Sequence, residues 1–169
     1  MSGAAIIVTT EVLDKPVRRA FKKLSGAMRN TTPIMAAIGT GIVGSTHQRF
    51  VSQTEPSGNS WQALNPEYAA GKRNSRILTE SGRLRDSISS RPGRDEVEIG
   101  TNVIYAGPHQ HGAVITPKNG THLIFKIGGR TVGAKSVTIP ARPFLGVSSD
   151  DRTMIAEIVF GFLKRVFKR

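Results

Sequence analysis

With 169 residues and 38% hydrophobic content, the chain can bury one ordinary core, and a single domain over 1–169 is expected. It has no cysteine, which excludes disulfides and thiolate metal sites, and no stretch approaches the roughly 18 apolar residues of a membrane span, so no membrane partner is expected. A formal charge of +12 implies attraction to polyanions without saying where the charge sits.

Residues 1–10 read as an N-terminal arm, "MSGAAIIVTT", which lacks the basic start of a secretory signal. A helical region over 11–51 follows. Leu13, Val17, Phe21, Leu24 and Met28 recur at steps of three or four, predicting an amphipathic helix over 11–29 with Arg18, Arg19, Lys22 and Lys23 opposite. Thr32 as N-cap and Pro33 in the first turn open a second helix carrying Ile34, Ile38, Ile42 or Val43, and Phe50. Gly39, Gly41 and Gly44 each cost that helix about 1 kcal/mol of propensity, which calls for tight packing or a bend.

Residues 52–94 read as a loop and a short helical segment. "SQTEPSGNS" is an exposed loop ended by Trp61, whose ring is expected to pack on the sheet or the second helix. Past Pro66 the run is irregular, with Ile77, Leu78, Leu84 and Ile88 as apolar anchors and a short helix after the Ser81-Gly82 turn.

Residues 95–147 read as the sheet. Val97 and Ile99 alternate with Glu96 and Glu98, and "NVIYAG" continues as the second strand of a hairpin after a turn at Gly100 to Asn102. Further strands fall around Leu123 to Ile127 and Ser136 to Ile139, separated by a loop marked by Gly128, Gly129 and Gly133. Strand residues follow these glycines where a phosphate cradle needs a helix, so nucleotide binding is not expected. Pro140 and Pro143 bracket Ala141-Arg142 as a rigid connector. Arg142 is expected to pair with a carboxylate, and Phe144 and Leu145 to anchor in the core or against a neighbour.

Residues 148–169 read as the C-terminal helix, capped at Ser148 or Ser149 ahead of Asp150 and Asp151. Its apolar residues span an arc of roughly 200°, against about 120° on the first helix. Such width implies burial on two sides: Ile155, Val159 and Phe162 toward the protomer's own core, Phe160 and Phe167 at a subunit contact. The fold class is α+β, a largely antiparallel β-sheet packed by two N-terminal helices and a long C-terminal helix.

"YAGPHQHG" places His109 and His111 on one face if extended. A zinc-type site needs three or four ligands, and His47 and His122 have no spacing relation to this pair. A histidine hydrogen-bonded at a strand-to-turn junction is the expectation, with no metal and no cofactor. No nucleophile elbow appears, so no catalytic residue and no enzymatic activity are expected. The basic residues fall in two regions, Lys72 to Arg94 and Lys164 to Arg169. The second is either a cationic helix end or a DNA contact, and no aromatic residues interleave with the cations as a single-strand surface would require.

The order "GNSWQAL", "RILTESGRLRDSI", "EVEIGTNVIYAGPHQHG" and "IPARPFLGVSSDD", followed by a terminal helix, resembles the phage virion morphogenesis family from about Met28 onward. That family contains tail completion and head–tail joining proteins of tailed bacteriophages. The motif residues are Trp61; Gly82 and Leu84; Tyr105, Ala106, His109, Gln110 and Gly112; and Arg142, Pro143, Phe144 and Leu145. The family commonly has an aromatic residue, usually phenylalanine, where this chain has His111, which speaks against a metal pair. The resemblance implies a structural virion protein that completes the tail or joins it to the head at the neck. It would be one subunit of a homo-oligomeric ring, a hexamer, assembled in the host cytoplasm. Its neighbours would be neck, head-closure or tail-tube proteins, with non-specific contact to packaged DNA. The alternatives are a basic nucleic-acid-binding protein and a metal-dependent hydrolase using His109 and His111.

Overall fold

The computed structural model describes residues 14–168; the arm over 1–10, the expected helix start at 11–13 and Arg169 lie outside the described residues. The elements are α1 (Lys15–Ala27), α2 (Thr32–Ser52), α3 (Pro66–Ala70), α4 (Arg83–Asp86), β1 (Ser89–Pro92), β2 (Val97–Gly100), α5 (Ala106–His111), β3 (Ala113–Ile115), β4 (Leu123–Ile127), β5 (Arg130–Ala134), β6 (Val137–Ile139) and α6 (Ser149–Lys168).

Asp14 caps α1 by accepting from the Val17 N–H at 3.2 Å, with a proline in the first turn. In α2 the cap is Thr31, not the expected Thr32. The Ile34 and Met35 N–H groups both donate to the Thr31 carbonyl, so helical bonding starts one residue early.

The glycines of α2 do require tight packing. A Cβ on Gly39 would lie 2.8 Å from Ser90 Cβ and 2.9 Å from Val97 Cγ2, while one on Gly41 would meet Met154. Residues two positions apart on a helix, as Gly39 and Gly41 are, point about 200° apart. The β1–β2 ladder and α6 therefore approach α2 from opposite sides, with α2 as the middle layer. Ile34, Ile38 and Ile42 are buried between them, against Val97 and Ile99 and against Met154, Ile155, Ile158, Val159 and Phe162. A second core gathers Phe50, Trp61, Leu84, Ile88, Val103, Ala106 and Phe144 near the C-terminal end of α2.

The architecture is α+β, and every strand pair is antiparallel. The expected sheet is divided, however, into three two-stranded ladders, β1–β2, β3–β6 and β4–β5. β2 pairs back to β1, a strand hidden in the sequence by Pro92 and polar residues, and "NVIYAG" is not its hairpin partner. Val103 is buried and its N–H donates to Thr101 Oγ1; from Ala106 the chain turns into α5, whose first turn takes Pro108 where a missing N–H costs nothing. The loop expected between Ile127 and Ser136 contains β5. Gly128 and Gly129, at φ 54° and 80°, form a two-residue turn, and Gly133 sits inside the strand opposite Ile124.

These contacts predict opposite outcomes for two glycines on one helix. Gly39→Ala should destabilise the fold by about 1–3 kcal/mol, because the clash with short, ladder-borne side chains outweighs the propensity gain. Gly44→Ala, with nothing within 4 Å of its added Cβ, should raise stability by up to about 1 kcal/mol. Urea unfolding of the two variants measures both.

Candidate functional site

The motif residues converge on one corner of the second core. Gln110, on α5, acts as a surrogate strand for the connector. Its Oε1 accepts from the Phe144 and Leu145 N–H groups at 3.0 Å each, and its Nε2 donates to the Leu145 carbonyl at 2.9 Å. The Arg142 N–H donates to the His109 carbonyl at 2.7 Å, and the Trp61 indole N–H to the Pro143 carbonyl at 2.8 Å. Phe144 is fully buried, 5.5 Å from the Phe50 ring, which meets Trp61 edge-on at 5.4 Å. Trp61 thus packs on the second helix.

Two glycines hold turns that a side chain would strain. Gly82 precedes α4 at φ 83°, leading Leu84 into the core. Gly112 ends α5 at φ 77°, and a Cβ there would lie 3.1 Å from the Ala141 nitrogen.

Arg142 does not pair with a carboxylate. Its guanidinium is buried and donates to the Gln62 carbonyl at 2.7 Å and the Ala63 carbonyl at 3.1 Å, because the connector places it beneath an irregular segment whose carbonyls lack ladder partners. Burial pushes its pKa below the ordinary value, with Tyr68 opposing.

The histidine pair is likewise rearranged. On the helix α5 a spacing of two separates side chains by about 200°, so His109 and His111 do not share a face. His111 is exposed, while His109 is half-buried with its ring 6.1 Å from that of Tyr105; it lies in a helix rather than at the expected strand-to-turn junction, and its Nδ1 has no hydrogen-bond partner among the described residues. Burial first, and the nearby Arg142 charge second, hold His109 below its ordinary pKa of 6.5. Among the described residues no group of three or more histidines or carboxylates comes close enough to hold a metal. His109 instead lines a cleft of about 680 Å³ together with Tyr68, Thr79, Arg142 and parts of β4 and β6.

A buried ion pair absent from the sequence reading ties this corner to the rest. Arg49 of α2 pairs with Asp151 of α6 and donates to the Phe144 carbonyl at 3.1 Å and the Gly146 carbonyl at 2.9 Å. Asp151 also accepts from the Ser148 N–H at 2.8 Å while its own N–H donates to Ser148 Oγ at 3.1 Å, a reciprocal cap for α6. Burial alone would raise the Asp151 pKa; hydrogen bonds from Ser45 and Ser148 and the Arg49 charge outweigh it and hold it low. An arginine falling seven residues after Ile42 on an apolar helix face, and an acid three after Ser148, were the signals that could have revealed this pair.

On the far side of the molecule, α1 lies against α6. Ile155, Val159 and Phe162 pack toward α2, whereas Phe160 is 63% and Phe167 50% exposed. Phe21 on α1 is 66% exposed, and Val17 and Met28 are also open. The outer surfaces of the two helices therefore carry unburied aromatic rings flanked by cations, Lys22 and Lys23 on α1, Lys164 and Arg165 on α6. The other basic region is partly spoken for, since Lys72 bridges to Glu80 and Arg85 to Asp86.

The chain belongs to the phage virion morphogenesis family, whose pattern matches residues 12–164, further toward the N-terminus than the motifs alone reach. It is a phage virion assembly protein. Among its relatives are the putative capsid assembly protein G of Escherichia phage Mu, 29% identical over 147 residues that cover 83% of each chain, and the Mu-like prophage FluMu G protein 2 of Haemophilus influenzae, 26% identical over 152 residues covering 90% of this chain and 92% of the relative. No solved structure matches it. No helix among the described residues is long and apolar enough to cross a membrane.

Two outcomes follow from this geometry. Asp151→Asn leaves the Arg49 guanidinium buried without its counter-charge and should cost about 3–5 kcal/mol in chemical unfolding. For His109, a folded-state pKa below 6.5 means that the unfolded chain takes up the proton first as pH falls. Its contribution is complete above pH 6.5 and is lost on descending toward the folded-state value. The depressed carboxylates Glu80, Asp86 and Asp151 lose theirs only below their ordinary 4.5 and 3.8. Stability should therefore decline as pH falls through the window just below 6.5, and His109→Gln should flatten that decline in a pH series of urea midpoints.

Proposed function

We propose that the protein is a non-enzymatic subunit of a ring at the head–tail interface of a tailed phage particle, completing the tail or joining it to the head. The observation that carries this reading is the open aromatic surface of α1 and α6. Phe21, Phe160 and Phe167 stand exposed on two contacting helices, while the opposite side of α6 is committed to the core. Larger exposed apolar patches on soluble proteins mark interaction sites, and three open rings on two contacting helices are the candidate for one here.

The charges around that surface argue for a ring rather than a two-fold dimer. An isologous contact would set Lys22, Lys23, Lys164 and Arg165 of one copy against the same cations of the other. A heterologous contact avoids this by meeting a different surface of the next subunit, and such contacts close into a ring when the rotation between subunits completes a circle. The phage Mu relative is named as a capsid assembly protein, which supports a place in the assembling particle, next to neck, head-closure or tail-tube proteins. A sixfold ring would match the symmetry of a tail, and the C-terminal cations would then lie where packaged DNA can be touched.

The test replaces both edge rings. Phe160→Ser combined with Phe167→Ser should abolish ring formation in sedimentation analysis and incorporation into particles, yet leave circular dichroism near native, because neither ring belongs to the core. Normal assembly of this variant, or its unfolding as a monomer, would refute the interface.

A further inference from the structure

The cleft beside His109 combines three observations that the assembly interface does not use. First, it is lined by strands from two separate ladders: residues 125–127 of β4 and 137–139 of β6. Among the described residues β4 pairs only with β5, and β6 only with β3, so each strand presents one edge of N–H and C=O groups to no described ladder partner. Two-stranded ladders are marginal in water on their own, and an added strand is the ordinary way to complete them.

Second, the cleft is net cationic, because its one lining carboxylate among the described residues, Glu80, is already bridged to Lys72. Arg142 is buried and, among the described residues, has no carboxylate within ion-pair distance; its only acceptors are two backbone carbonyls. Arg83 and the exposed Lys126 line the same space. A buried cation without a counter-charge is costly, and a carboxylate delivered to it would remove that cost. Third, Thr79 Oγ1 and His109 Nδ1 are buried without hydrogen-bond partners among the described residues, and both residues line this cleft. Native interiors leave few such atoms unpaired.

We propose that the cleft takes an extended, carboxylate-bearing peptide segment of another virion protein, which adds as a strand along β4 and β6 and sets its acid against Arg142. Backbone hydrogen bonds supply the register, and the apolar walls, Leu78 and Phe125 among them, receive alternate side chains of the incoming strand. The donor is a different protein rather than a second copy. This chain carries +12, so a second copy is repelled from a cationic cleft toward which an acidic protein is drawn. That the donor belongs to the virion rests on the function proposed above; the chemistry of the cleft does not.

The experiment uses the full chain and a capped pentapeptide, Val-Thr-Asp-Thr-Val, beside its counterpart with lysine in place of aspartate. The acidic peptide should bind in calorimetry and slow amide hydrogen exchange at 125–127 and 137–139, and the lysine peptide should bind at least about tenfold more weakly, the scale of one charge-assisted hydrogen bond. Arg142→Gln should remove the preference for the acid. Because that variant also loses bonds to Gln62 and Ala63 and could unfold, Lys126→Glu, a change at an exposed position, provides the second arm and should weaken the acidic peptide while leaving the fold intact. Equal binding of the two peptides, binding without protection of β4 and β6, or no binding at millimolar peptide would overturn the proposal. None of these results bears on ring formation, which the Phe160 and Phe167 variant reads separately.

Discussion

The guanidinium of Arg49 is the point at which three otherwise independent parts of the chain meet. It reaches from the last turns of α2 to the Asp151 carboxylate on α6 and to the Phe144 and Gly146 carbonyls of the motif connector. A salt bridge this deep contributes little net energy compared with a well-packed apolar alternative. Its value is geometric: five donors in a fixed plane admit one relative placement of α2, α6 and the connector. The open rings of Phe160 and Phe167 are positioned by the same placement, because α6 is clamped at its start by Asp151 and Ser148.

From this hub the motif corner is assembled by side chains doing the work of missing strands. Gln110 satisfies two N–H groups and one carbonyl of the connector, Arg142 satisfies two carbonyls beside Trp61, and the Trp61 indole caps the Pro143 carbonyl. Pro140 and Pro143 cannot donate to a ladder, so a connector that is rigid and close to the core has to be held from outside its own backbone. Gln110, Arg142 and Trp61 thus hold the connector in place.

The long helices were legible because their signals are local, whereas α3, a five-residue helix capped by Asn65 where the sequence reads as an irregular run, and α5 were not. α2 and α6 follow from apolar spacing, caps and the first-turn proline, and the requirement for close packing at Gly39 and Gly41 is visible in the cost of glycine within a helix. The division of Phe160 and Phe167 from Ile155, Val159 and Phe162 could be read from arc width alone. What failed depended on partners distant in sequence. β1 is polar and ends at a proline, so only its pairing with Val97 and Ile99 reveals it. β5 reads as loop in the sequence because Gly133 carries no side chain to mark a face. The strand expected over "NVIYAG" is replaced by a turn at 104–105 and the first residues of α5, with Val103 and Ala106 buried and Ile104 95% exposed. The cleft itself draws on segments from Leu64 to Arg142, and no spacing rule joins them.

The hairpin formed by β4 and β5 has a separate evolutionary meaning. It turns on Gly128-Gly129, its strands pair chiefly with each other, and none of its residues bonds to Arg49, Gln110 or Trp61. Insertions, deletions or residue exchanges within 116–136 therefore leave the hub and both cores untouched while remodelling one wall of the cleft. Under the docking proposed above, partner choice becomes a modular property of this scaffold, because the hairpin can be exchanged without touching a residue of either core.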